Sequence, residues 1–220
     1  MATIIRNPYR CTFIHIPKTG GSSLENYFSS KFKIPLNNKS LYLYINDTSL
    51  SNKNMKIKSS LQHITYNEII QYSNILKIHF DNIKIITIVR NPYERIISDL
   101  FYFHLINTNT STQEVLDIIN KYLKADPQKY DNHNIPQYKF ITNDKGELIQ
   151  NIHILRTESL TDDMKKIGYD DFDVRVMVNP SSGARNNYYN YLNDEIIEII
   201  NEFYHLDFVL FHYDKIKSAV

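Results

Sequence analysis

Apolar and polar positions along this chain alternate between two periods. Residues 11–16 form a short apolar, strand-like run, and after it Leu24, Tyr27, Phe28 and Phe32 recur at three- and four-residue steps. That spacing predicts a helix over residues 22–32 with one packed face. Residues 83–89 are a compact β-branched run suited to a central parallel strand covered on both faces. Asn91-Pro92 then opens a helix, proline being tolerated in a first turn, and its packed stripe is Ile96, Ile97, Leu100 and Phe101. Thr65 with Glu68 and Ser111 with Glu114 have capping-box spacing, which predicts one helix from near Tyr66 and another that ends before Asp126-Pro127. Residues 152–155 read as a further strand, residues 143–146 as a turn, and residues 160–167 as a short helix stopped by Gly168. A strongly apolar-faced helix over residues 194–204 follows Asn193.

Strands that alternate with helices, without internal repeats, indicate an α/β fold with a short parallel sheet flanked by helices. A polar excursion at residues 35–60 interrupts the pattern. The 220 residues suit a single domain, 1–220, able to bury a core without disulfide or metal staples. A net charge of +1 supplies no global field for nucleic acid or an anionic membrane. Cys11 is the only cysteine, so no internal disulfide forms, and in its apolar stretch it reads as a small buried hydrophobe. The first ten residues lack a signal-like apolar run, and no window reaches about eighteen apolar residues, so a soluble, cytoplasmic protein without a membrane segment is expected.

In an open parallel sheet, ligands bind beyond the carboxyl ends of the strands, so the loops after Ile16 and Val89 should converge on one crevice. The first loop runs Pro17-Lys18-Thr19-Gly20-Gly21-Ser22-Ser23. Gly20 and Gly21 allow close backbone approach, Ser22 and Ser23 supply hydroxyls and the first unpaired helical N–H groups, and Lys18 adds a positive charge; the ensemble suits a phosphate. It is not a Walker A loop, because the lysine precedes the glycines. In the second loop Arg90 stands at the strand end, and Ser98 follows about two helical turns later. A bidentate guanidinium with a hydroxyl is a device for a second phosphate. Two anion sites on one sheet edge imply a nucleotide phosphorylated at two places.

These two motifs resemble those of the PAPS-dependent sulfotransferases, and more closely the heparan sulfate 2-O-sulfotransferase-like group, sulfotransferase family 2. Phe13 to Ser23 looks like the 5′-phosphosulfate loop, and Arg90-Asn91-Pro92-Tyr93-Glu94-Arg95 through Ser98 like the 3′-phosphate motif. The likeness extends to Leu61-Gln62-His63-Ile64-Thr65-Tyr66, to Ile154 through Leu160, and to the tail from Asn179 through Tyr213. It implies a P-loop-like sulfotransferase fold, with PAPS (3′-phosphoadenosine 5′-phosphosulfate) as co-substrate and PAP as product. Lys18, Thr19, Gly20, Gly21, Ser22 and Ser23 would hold the 5′-phosphosulfate and Arg90 with Ser98 the 3′-phosphate, while Arg185 would close over the nucleotide. The resemblance puts the catalytic histidine at His63, a general base with a near-neutral pKa, and Lys18 would neutralise the leaving oxygen.

No metal is expected, since lysine, arginine and helix amides supply the positive charge that Mg²⁺ brings to many phosphoryl transferases. The expected partner is a hydroxyl-bearing acceptor, first a glycan, with a tyrosyl peptide or small molecule as alternatives. A non-catalytic nucleotide-binding module and a kinase-like phosphotransferase are the rival classes. His15 reads as a core residue or a supporter of the site, and the remaining histidines show no metal-ligand spacing. Arg156 with Glu158 reads as structural, and Tyr188, Tyr189 and Tyr191 as packing and surface residues.

Overall fold

A strand that is apolar on both faces belongs inside a sheet, and Lys84–Val89 (β3) has a neighbour on each side. The computed structural model describes residues 4–5, 11–33, 59–76, 84–177 and 187–217, in which four strands lie in the order β1 (Ile4–Ile5), β2 (Cys11–Ile14), β3 and β4 (Ile152–Arg156). β2, β3 and β4 are parallel, with Ile14 opposite Thr87 and Val89 opposite Arg156. β1 adds an antiparallel edge to β2. All but Ser59 and Ser60 of the excursion at residues 35–60 lies outside the described residues.

Strand alternation divides the core into layers. Cys11 and Phe13 join Ile86 and Ile88 against Leu24, Tyr27 and Phe28 of α1 (Gly21–Phe32). Ile14, Ile85 and Val89 face the opposite layer, where Ile69 of α2 (Tyr66–Gln71) packs beside Phe140 and Ile141. A third cluster joins α3 (Pro92–Tyr102) and α4 (Thr112–Lys124) to the C-terminal helices through Ile96, Leu100, Val115 and Ile119. α5 (Leu160–Lys166) closes the first layer, and α6 (Asp194–Phe203) and α7 (His205–Phe211) complete the third. Cys11 is buried as expected, and burial pushes its thiol up to about 11.

The helix starts follow their caps. Thr65 and Glu68 form a reciprocal capping box, as do Ser111 and Glu114. Asn91 accepts from the Tyr93 amide at 3.0 Å with Pro92 in the first turn, and Asn193 accepts from Ile196 at 2.9 Å. α1 begins one residue earlier than its periodicity predicts, at Gly21, behind Gly20 in the left-handed region.

One buried cation joins the layers. Arg95 of α3 is fully buried and donates to three carbonyls: Nε to Pro17 at 3.0 Å, Nη1 to Ile135 at 3.0 Å and Nη2 to His133 at 2.7 Å. Asp99, one turn along the same helix and also fully buried, receives the Nδ1 of His133 at 2.7 Å. Removing the guanidinium strands three carbonyls. Arg95→Met is therefore expected to lower stability by about 3 kcal/mol or more in denaturant unfolding, and Arg95→Lys to recover only a minor part, since one ammonium cannot span three diverging acceptors.

Candidate active site

Because β2, β3 and β4 are parallel, their carboxyl ends share one edge, and three loops leave from it. In the loop after β2, the Thr19 hydroxyl donates to the Ile16 carbonyl at 2.8 Å, and Lys18 (φ 61°) and Gly20 (φ 92°) both take left-handed conformations. Glycine does this freely, whereas lysine is held there against its preference. The turn delivers the chain into α1, which has no side-chain N-cap and no acidic residue in its first turn. Its first amides and positive dipole end are therefore matched to an anion.

Gly21 also has a packing role. A Cβ added there would stand 2.3 Å from the His15 ring, so the missing side chain makes room for an imidazole. Thr19 and Ser23 are buried, and Ser22 is exposed.

The loop after β3 begins at Arg90. Its Nε and Nη2 donate to Glu94 at 3.3 and 3.0 Å, and its Nη1 donates to the Lys18 carbonyl at 3.3 Å. The guanidinium carbon lies 5.2 Å from the Tyr188 ring centroid. The Arg90 main chain is clamped as well: its amide donates to Gln137 Oε1 and its carbonyl accepts from Gln137 Nε2, both at 2.9 Å. Asp207 accepts the amides of Gln137 and Tyr138, and burial pushes its carboxyl up to about 6. Ser98 is buried in α3, the helix that starts just beyond Arg90.

The loop after β4 fastens the other two. The Thr157 hydroxyl approaches the carbonyls of Thr19 at 2.6 Å and Val89 at 3.1 Å, and Glu158 accepts the Asn91 amide at 2.8 Å. Glu158 also accepts from the Tyr213 hydroxyl at 2.9 Å, and the Arg156 guanidinium lies 4.6 Å from the Tyr213 ring centroid while donating to the Phe211 carbonyl. Arg156 and Glu158 thus meet on Tyr213, in keeping with the structural role expected of them. Tyr191 is buried and Tyr189 exposed, whereas Tyr188 lies against Arg90.

Beside this edge three imidazoles are grouped, each with Nδ1 on its own carboxylate: His15 on Glu25 at 2.8 Å, His63 on Asp131 at 2.8 Å, and His133 on Asp99 at 2.7 Å. The His63 ring stands edge-on to both others, with centroids 5.1 Å from His15 and 4.8 Å from His133. Gln62 donates to both oxygens of Glu25 at 3.1 and 3.0 Å. Tyr102 stacks on His133 with centroids 5.3 Å apart, and the Lys18 ammonium lies 4.3 Å from the Tyr102 ring centroid. A chain of contacts therefore leads from Lys18 to His63.

Burial sets the electrostatics. His63 is only 7 % exposed, and desolvation pushes its imidazole down to about 4, with the neighbouring His15 and His133 adding to the fall and Asp131 opposing it. The near-neutral pKa expected from the sequence is thereby corrected: the ring is neutral at ordinary pH. Burial likewise lowers Lys18, with Arg90 acting in the same direction and Asp99 against both.

Among the described residues His63, Asp131 and His133 also form a group that could surround a metal ion, their donor atoms lying within 4.8 Å of one another. Spacing along the chain does not show it, because His63 and His133 come from distant segments. The same distance hid the pairing of Asp131 with His63, of Asp99 with His133 and of Tyr102 with Lys18; Glu25 follows His15 by only ten residues, but nothing in its helical spacing marks it as a partner. Gln62 and Arg95 stood inside quoted motifs without an assigned role. Arg185 lies outside the described residues.

The sulfotransferase family model matches residues 1–214 of the chain. No curated protein and no solved structure matches it. The packing at Gly21 gives a direct check of the site's construction. Gly21→Ala is expected to displace the His15 ring, held by Glu25 and Gln62, and to cost about 1–3 kcal/mol in thermal unfolding, as overpacking of a filled interior does.

Proposed function

Since the chain belongs to the sulfotransferase family and is accordingly a sulfuryl-group transferase, we propose that it moves the sulfuryl group of PAPS to an acceptor hydroxyl, first of all on a carbohydrate. The observation that carries this reading is the hydrogen bond of Arg90 to the Lys18 carbonyl at 3.3 Å, which brings cations from two loops to one sheet edge. That edge is where open parallel sheets take ligands. On this reading Lys18, the backbone of Thr19, Gly20 and Gly21, and the first turn with Ser22 and Ser23 receive the 5′-phosphosulfate. Arg90 and Ser98 receive the 3′-phosphate, Arg185 closes over the nucleotide, and residues 1–220 act as one domain.

The chemistry then divides between two side chains. As the acceptor oxygen bonds to sulfur in line, the bond from sulfur to the bridging phosphate oxygen breaks, leaving PAP. The acceptor's proton passes to Nε2 of His63, because Nδ1 is engaged by Asp131. The depressed pKa keeps the base form populated, and the Asp131 carboxylate stabilises the imidazolium once it forms. Lys18 meets the charge arising on the leaving oxygen, in a half-buried, partly desolvated setting where that interaction exceeds its value in water. The reading gives a metal no part. The +1 net charge disfavours a long basic groove for a highly sulfated polymer, which favours a less charged glycan.

Calorimetry is expected to show tight, Mg²⁺-independent binding of PAP and weak binding of ATP; a preference for ATP overturns the assignment in favour of phosphoryl transfer. In sulfate-transfer assays over an acceptor panel, His63→Ala should abolish turnover while PAP affinity survives, and Lys18→Ala should slow it about a hundredfold or more.

The pH dependence follows from the burial of His63. Protonation of the free enzyme's base removes activity, so kcat/KM should stay level as pH falls through 6.5 and be lost only near 4. An acidic limb centred at 6.5 would mean that the base is not His63 in this buried setting.

A further inference from the structure

We propose that Asp131 is the positioning residue of the histidine base, fixing both the tautomer and the orientation of the His63 ring; the inference rests on the reading of His63 as that base. The observation is a backbone device. After the 3₁₀ turn Pro127–Tyr130, two consecutive non-glycine residues, Asp131 (φ 49°) and Asn132 (φ 63°), take left-handed conformations. Aspartate and asparagine tolerate this region better than other residues with a side chain, and Asp131 caps the turn in it. Here both side chains turn back onto the same short segment. Asp131 Oδ2 lies 2.8 Å from His63 Nδ1 and accepts from the Ser60 hydroxyl at 2.7 Å, while Oδ1 accepts from the Ser60 amide. Asn132 Nδ2 donates to the His63 carbonyl at 3.0 Å. The ring, the carbonyl and the residue that opens the Leu61–His63 turn are thus gripped from one place.

A carboxylate can only accept, so a neutral His63 donates from Nδ1 and keeps Nε2 as its basic nitrogen. Without that partner either tautomer is available, and only one can take a proton at Nε2. The neighbouring imidazoles do not depend on Asp131, since His15 has Glu25 and His133 has Asp99. A merely structural Asp131 would instead act as a cap for the turn through Ser60.

Asparagine separates the two roles. Its carbonyl can still accept from the Ser60 amide, but its NH₂ can only donate, which drives His63 to the Nε2–H tautomer. Asp131→Asn is therefore expected to keep its fold by circular dichroism and its PAP affinity by calorimetry while kcat falls about a thousandfold or more, the scale seen when an orienting carboxylate is replaced by its amide. Nitrogen-15 NMR of the ring should show His63 protonated at Nδ1 in the unaltered protein and at Nε2 in Asp131→Asn. The resonance is assigned with His63→Gln, and both spectra are taken at one and the same pH, near 7, because the titratable groups of His15, Glu25, Asp131 and His133 face the ring.

Turnover of Asp131→Asn within about threefold of the unaltered protein, with His63→Ala inactive, overturns the positioning role and leaves the base assignment standing. Full turnover by His63→Ala overturns the base assignment itself. Should Asp131→Asn fail to fold, the tautomer in the unaltered protein decides: Nε2–H in the neutral ring refutes the inference, and Nδ1–H upholds it.

Discussion

The arrangement of this site depends on a guanidinium with no access to water. Burying a charge is costly unless its hydrogen-bonding capacity is met, and Arg95 meets it with the carbonyls of Pro17, His133 and Ile135, beside the buried carboxylate of Asp99. Those acceptors are not interchangeable in their consequences. Pro17 immediately precedes Lys18, and His133 supplies the ring that packs against both His63 and Tyr102. A planar fork with fixed donor directions therefore sets the glycine loop and the histidine cluster at a defined separation, which a flexible ammonium could not do. Asp99 serves two partners at once, since its negative charge favours the Arg95 cation and its oxygen holds His133.

Around His63 two effects oppose each other, and their sizes decide the outcome. Asp131 pulls the imidazole pKa up, but its own side chain is 30 % exposed, so solvent screens that pull. The ring itself is nearly enclosed, and desolvation prevails, taking it to about 4. A neutral His63 adds no further charge to that interior in the resting protein. On the proposed mechanism the cation exists only while a proton is being accepted, and the Asp131 carboxylate is already placed to meet it.

Much of the scaffold was legible because it rests on local chemistry. The β-branched run ending at Val89, the two capping boxes and the proline after Asn91 each specify their element within a few residues, and the structure has all of them. β1 was not legible, since two residues cannot display an alternation, and α7 follows α6 at Tyr204 without a glycine or proline to mark the break. Lys18 and Arg90 could be paired in advance because parallel strands put their loops on one edge. The pairings of His63 with Asp131 and of Asp99 with His133 could not be foreseen, since residues 126–134 have no periodicity and reach the site only through 3₁₀ and left-handed backbone. The packing of His15 on Gly21 was not legible either, because a sequence shows that a side chain is missing but not what occupies the vacated space.

The two cations at the sheet edge are held so differently that they suit different tasks. Arg90 is restrained at every level: its main chain by Gln137 and through it Asp207, and its guanidinium by Glu94, the Lys18 carbonyl and the Tyr188 ring. Ordering a long side chain opposes binding when it occurs on association; here it is accomplished in folding, so on the proposed reading the charge is in place beforehand. Lys18 combines a left-handed backbone with a desolvated ammonium lying over Tyr102, a polarisable partner that holds it without neutralising it. A desolvated, unneutralised ammonium gains most when negative charge appears beside it, whereas a guanidinium already engaged by a carboxylate gains less. On the proposed reading this asymmetry assigns holding of the nucleotide to Arg90 and response to the leaving group to Lys18.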